Sequence, residues 1–186
     1  VPNRLKIRID FQPKPLTLAE PVRGILDVAW LSGAVARNLE AEVEMTLQNA
    51  SPDFKGFAGY VFRDPARSFS PETQTLFKGR LDDKGHAEFS GAAEVAGQAP
   101  GTLKANFRTK VIEAGGAFSL DRWSETFHPY RAYVGLKLPL TGRGYEALQI
   151  DSLHTVKLAV VDPRGRKLGK RRVEVKIFKS GWNWWW

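Results

Sequence analysis

The sequence predicts an all-β protein, an antiparallel β-sandwich comprising one complete domain and part of a second, and three observations predict it. Apolar and polar residues alternate with period two in run after run. No stretch of comparable length places apolar residues at helical spacing. Glycine and proline turn chemistry separates the runs. Successive side chains of a strand point to opposite faces, so alternation implies one buried face and one solvated face.

The first run is Leu5, Ile7, Ile9 and Phe11, separated by Lys6, Arg8 and Asp10, and Pro13 and Pro15 end it. Leu26, Val28 and Trp30 form the next, closed by Ser32-Gly33 as a turn. In Leu39, Ala41, Val43, Met45 and Leu47 the opposite face is filled by Glu40, Glu42 and Glu44, which a helix would scatter over several faces. Residues 49–75 lack clean periodicity and read as a long connection with a strand near Gly59 to Arg63. Asp82-Asp83-Lys84-Gly85 ends one strand in a tight turn, because glycine accepts positive φ there. Ala87 and Phe89 open the next strand, and Ser90-Gly91 reads as its turn. Leu103, Ala105, Phe107, Thr109 and Val111 form the longest later run; Gly115-Gly116 reads as a hairpin, and Phe118 to Phe127 returns as the last strand of a first sandwich.

A domain boundary is expected at Phe127-His128-Pro129-Tyr130, giving a sandwich over residues 1–128 and a second β domain, incomplete, over 129–186. The tail offers three strands, Tyr133 to Leu138, Thr155 to Val161 and Val173 to Phe178, with Asp162-Pro163-Arg164-Gly165 as a turn after the second. Three strands of this size are marginal alone. The expectation is that they lean on the first domain or are completed by chain beyond Trp186, and that unpaired edges favour self-association.

Composition excludes several classes of chemistry. The 186 residues contain no cysteine, so disulfides, thiolate metal sites and a cysteine nucleophile are all ruled out. No apolar stretch reaches the roughly 18 residues a membrane helix needs, so no membrane span is expected. The net charge of +8 raises the question of nucleic acid, but lysines and arginines are spread along strands. The one dense cluster, Arg164-Gly165-Arg166-Lys167 through Lys170-Arg171-Arg172, sits at a turn and a strand start and reads as solvated surface. No nucleic-acid partner is expected.

No catalytic, cofactor-binding or metal site emerges from the remaining residues. His86, His128 and His154 lie in separate elements without ligand spacing and read as turn or surface residues. The serines lack a strand-turn-helix elbow. Glu40, Glu42 and Glu44 read as an outer strand face, and Gly115-Gly116 leads into a strand rather than a phosphate-binding helix. Asn49-Ala50-Ser51 has the glycosylation pattern, with Pro52 directly after it. Trp182, Trp184, Trp185 and Trp186 stand out, each ring able to bury more than about 100 Å². They read as packing under neighbouring domains, with a sugar-stacking platform or protein-binding hot spot as the rival.

The order of short motifs resembles the bacterial α2-macroglobulins. The matching residues are Val28-Ala29-Trp30-Leu31-Ser32-Gly33-Ala34, Leu81 to Ala87, Ala99-Pro100-Gly101-Thr102-Leu103, Val111-Ile112-Glu113, Ala114-Gly115-Gly116-Ala117, Tyr133-Val134-Gly135-Leu136-Lys137, Val156 to Pro163, and Trp182-Asn183-Trp184-Trp185-Trp186. The resemblance implies macroglobulin, immunoglobulin-like sandwiches within a secreted, periplasmic or envelope-anchored inhibitor of endopeptidases, lipid-anchored in some full-length forms. It implies neighbouring domains as partners, proteases reached through the parent protein, and the tryptophans as a bait-proximal interface. The family's thioester needs a cysteine, so that chemistry lies outside this segment. The resulting expectation is a structural segment with no catalysis and no cofactor; the alternative is an extracellular glycan- or protein-binding module using the tryptophans.

Overall fold

The computed structural model describes residues 4–139 and 151–177. Ten strands make up its regular structure: β1 (Leu5–Gln12), β2 (Leu16–Thr17), β3 (Val22–Trp30), β4 (Glu40–Asn49), β5 (Glu72–Arg80), β6 (His86–Gly91), β7 (Leu103–Ile112), β8 (Phe118–His128), β9 (Tyr133–Lys137) and β10 (Lys157–Val161). Among the described residues there is no helix.

Two sheets face each other. The smaller has the order β1-β3-β6, the larger β2-β8-β7-β4-β5, and all pairings within them are antiparallel except the short β2–β8 contact. The alternating residues of β1, β3, β4 and β7 point between the sheets, which is why their sequences read so cleanly. Phe11 of β1 meets Phe107 of β7 across the gap, with ring centroids 4.2 Å apart. Leu26, Val28, Val43, Met45, Leu47, Leu103 and Val111 fill the space around them and are buried. Cores of this density tolerate little change in volume.

The outer faces are joined by charge. Glu44 stands directly opposite Arg108 in the β4–β7 register and accepts from its Nε at 2.7 Å, and Glu40 faces Arg80 at 3.0 Å. The three glutamates of β4 are therefore an outer face, as expected. Arg4 reaches Glu113 at the far end of β7, with Nε to Oε1 at 3.2 Å, and stacks over Trp30.

Both aspartate-glycine turns adopt one geometry. Asp82 accepts the backbone N–H groups of Lys84 and His86, each at 2.8 Å, and Asp162 accepts those of Arg164 and Arg166, each at 2.9 Å. Gly85 and Gly165 hold φ of 82° and 75°, the left-handed region glycine enters without penalty. At Gly85 a side chain would also strike the Val28 carbonyl oxygen, 2.4 Å from the position of an added Cβ.

A second apolar cluster lies beside the sandwich. Phe54, Phe57 and Phe62 from the β4–β5 connection pack with Tyr133 of β9 and Val161 of β10. Gly135 makes this packing close, because the Phe62 ring occupies the space a side chain would take. The opposite face of the β9–β10 ribbon leaves Val134, Leu136 and Leu158 exposed.

Four local expectations are corrected. The strand placed near Gly59 to Arg63 is a single bridge from Val61 to Leu136, because the aromatic residues around it pack as a loop. Ser90-Gly91 lies inside β6, paired with Arg23 and Val22, and the missing side chain at Gly91 admits Leu76. The expected strand from Val173 is absent over 173–177, and Phe178 lies outside the described residues. His128 is buried rather than at a turn or the surface.

Candidate functional site

The sequence candidates separate when placed on the fold. Trp182, Trp184, Trp185 and Trp186 lie outside the described residues. His86 approaches Asp27 across the β3–β6 pair, Nε2 to Oδ2 at 3.8 Å, and His154 lies half-buried ahead of β10. Among the described residues no group of three or more His, Cys, Asp or Glu side chains is placed to hold a metal ion. Gly115-Gly116 forms the β7–β8 hairpin, closed by bonds from Glu113 N–H to Ala117 O and from Gly116 N–H to Glu113 O. The Asn49 side-chain amide donates to the Phe69 carbonyl at 3.2 Å, so it serves the loop. The basic cluster begins on the β10 turn, where Arg166 pairs with Asp162 at 2.8 Å, and continues along exposed chain without strand structure.

A group of polar side chains that sequence reasoning missed lies at the meeting of the two apolar clusters. His128 ends β8, and its backbone oxygen accepts from Leu18 N–H at 3.0 Å, just after β2. Its ring lies 6.4 Å from Phe54 and 5.6 Å from Tyr133. Nδ1 and the Tyr133 hydroxyl are 3.2 Å apart, and that hydroxyl also receives the Tyr130 N–H at 3.4 Å. Tyr130 packs against both clusters and donates its own hydroxyl to the Ala99 carbonyl at 2.6 Å. Tyrosines bridge here because each carries a large apolar body and one polar tip needing a partner.

Electrostatics follow from burial. Loss of solvent pushes His128 below its ordinary value, against the pull of Asp162 and Glu125, so the ring is neutral near pH 7. The same loss pushes the Tyr133 phenol far above its ordinary value, so it stays protonated. For Asp162 slight burial raises the pKa, but the hydrogen bonds and charge of Arg166 outweigh this and hold it low. These groups tie elements together. The arrangement contains no nucleophile paired with a base and an orienting third group.

Open grooves on the outer surface include two along the small sheet. One, of about 390 Å³, runs over the small sheet between Asp10, Arg23, Ile25 and Glu88. The other, of about 550 Å³, lies where the β1 edge passes Trp123 of β8. Trp123 sits opposite Phe107 in the β7–β8 register, yet it is exposed because the small sheet does not extend over it.

Residues 3–135 match the family model described as the bacterial alpha-2-macroglobulin MG5 domain. Solved structures with the same fold include Escherichia coli alpha-2-macroglobulin activated by porcine elastase, with TM-score 0.65 and 21% identity over 89% of this chain and 14% of that one. A second is the trypsin-activated Escherichia coli protein, with TM-score 0.59 and 23% identity over 74% of this chain and 9% of that one. A third is Salmonella alpha-2-macroglobulin reacted with methylamine, with TM-score 0.60 and 19% identity over 90% of this chain and 12% of that one. The chain thus spans only 9–14% of the length of these structures. No curated protein matches it.

Proposed function

The chain belongs to the bacterial alpha-2-macroglobulin MG5 domain family, and from that premise we propose that it is a non-catalytic structural segment of a broad-spectrum endopeptidase inhibitor. The match over residues 3–135 carries the reading, since it covers the whole sandwich and the start of β9. Two similar structures are described as activated by trypsin and by elastase, proteases whose specificity pockets differ, which favours a trap indifferent to the bond that is cut.

The segment's part in such a trap is mechanical. A sandwich with one continuous apolar core moves as a body, so cleavage of an exposed segment elsewhere is converted into displacement of whole domains. In this reading Trp182, Trp184, Trp185 and Trp186 form a bait-proximal interface, neighbouring domains are the direct partners, and the protein works in the periplasm or cell envelope.

The test uses the full-length protein from which this chain comes. Trypsin or elastase is added, and small-angle scattering is followed together with hydrolysis of a large protein substrate and of a short peptide. Compaction with selective loss of activity on the large substrate is expected. Unchanged scattering and equal hydrolysis of both substrates would overturn the proposal. The isolated chain is expected to turn over neither.

A further inference from the structure

His128 is a buried imidazole at the contact between sandwich and second cluster, and its Nδ1 faces the Tyr133 hydroxyl. The Tyr133 oxygen accepts the Tyr130 N–H and carries one proton of its own. Donated to the remaining polar neighbour, His128 Nδ1 at 3.2 Å, that proton gives both groups a partner at once. Nδ1 is then the bare nitrogen of the neutral ring, and a second proton must land on it. Protonation replaces an acceptor with a donor aimed at a hydroxyl that has been donating.

The charged groups around the ring do not cancel this. Asp162, on the turn after β10, is engaged by Arg166 at 2.8 Å and by two backbone N–H groups. Glu125 of β8 lies 3.9 Å from Lys14, and Arg131 borders the same hollow as His128. Phe54 and Tyr133 supply ring surfaces, and β2 brings Thr17, which is uncharged. An imidazolium here would face an occupied pair of carboxylates, a cation and aromatic walls. Burial already holds the ring toward its neutral form.

We propose that His128 is a proton-operated latch: neutral, it docks the Phe54–Tyr133–Val161 cluster on the sandwich, and protonated, it releases β9 and β10 while the sandwich stays folded. The sandwich has its own apolar core, built around Phe11, Leu26, Met45 and Phe107. The second cluster rests on few buried side chains and shares Tyr130 with the first. The latch does not depend on the protease-trapping reading, and it gives the same segment a response to acid.

Nuclear magnetic resonance on the whole 186-residue chain tests it between pH 7.5 and 5.0. The His128 ring is expected to be the Nε2–H tautomer at pH 7.5 and to titrate below 6.5, the ordinary value. Protection factors, corrected for the intrinsic pH dependence of exchange, should fall at least about tenfold in β9 and β10 across that titration and hold in β7. His128→Phe should abolish the acid-induced loss. Should that variant not fold, Tyr133→Phe serves instead: it removes the donated bond, so exchange in β9 and β10 should be faster already at pH 7.5 and less sensitive to acid. A ring titrating at or above 6.5, an Nδ1–H tautomer, parallel loss in β7, or an acid response that survives in the variant would each overturn the latch.

Discussion

Gly135→Ala tests whether the second cluster is held by steric fit. The Cβ of an alanine would stand 2.4 and 2.5 Å from two carbons of the Phe62 ring. Ordinary carbon contacts are about 3.5–4.0 Å, so roughly 1 Å must open. Phe62 cannot simply turn away, because Phe54, Phe57 and Tyr60 surround it at centroid distances of 4.8, 5.8 and 6.1 Å. Overpacking of this kind costs about 1–3 kcal/mol. The reduced freedom of an unfolded alanine returns about 0.4–1 kcal/mol. A net loss of roughly 1–2 kcal/mol remains, which is about a 5- to 30-fold change in an opening equilibrium. Amide exchange should show that change in β9 and β10, with β4 and β7 unaffected. Gly115→Ala, where nothing lies within 4 Å of the added Cβ, is the control and should be neutral within about 0.5 kcal/mol. In a double-mutant cycle Phe62→Leu should relieve the clash, so the pair costs less than the sum by about 1 kcal/mol. A neutral Gly135→Ala, or strict additivity with Phe62→Leu, would refute the steric account.

Three further outcomes follow from the same geometry. Phe107→Ala removes the ring stacked on Phe11 at 4.2 Å and should cost about 3–5 kcal/mol, measured by urea unfolding of the whole sandwich. Arg108→Ala breaks a half-exposed pair with Glu44 and should cost under about 1 kcal/mol, less still in high salt. Asp82 is held below the ordinary carboxylate value of 3.8, first by the His86 N–H and then by that of Lys84. Its folded pKa is depressed, so its contribution is present above 3.8 and disappears as pH falls through the folded value. Asp82→Ala should erase that part of the acid dependence, read as exchange of the Gly85 and His86 amides.

What the sequence revealed depended on how each strand meets the core. β1, β3, β4 and β7 each send every second residue between the sheets, so their alternation was legible. β5 was obscured for a physical reason: its register with β4 slips between Val43 and Glu44, so Leu76 and Phe77 both turn toward the core in succession. A bulge of this kind erases period two in the sequence while keeping the strand. β2 is two residues long, too short to carry a pattern. The aromatic loop carried a signal of another kind, since Phe54, Phe57, Tyr60 and Phe62 are too many rings for a solvated connection. His128 was misread because a histidine at a strand end beside a proline suggests a turn. Its burial depends on Phe54, 74 positions earlier in the chain, and on Tyr133. The sandwich was local information repeated; the junction is long-range contact.

That contrast also orders the motions available to the segment. Opening the sandwich means separating Phe11 from Phe107 and exposing a continuous core shared by eight strands, β1 to β8. Opening the second cluster exposes Phe54, Phe57, Phe62, Tyr133 and Val161 and breaks a two-stranded ribbon. Apolar burial scales with area, so the smaller cluster opens at lower free energy and does so first. Displacement of β9 and β10 is therefore expected to leave the sandwich intact and to begin at the Tyr130–Tyr133 junction, where the second cluster meets the first. Under the proposed latch a proton on His128 acts on these same few contacts. Acid should accordingly make the β9–β10 ribbon easier to displace, with no change in the stiffness of the sheets beside it.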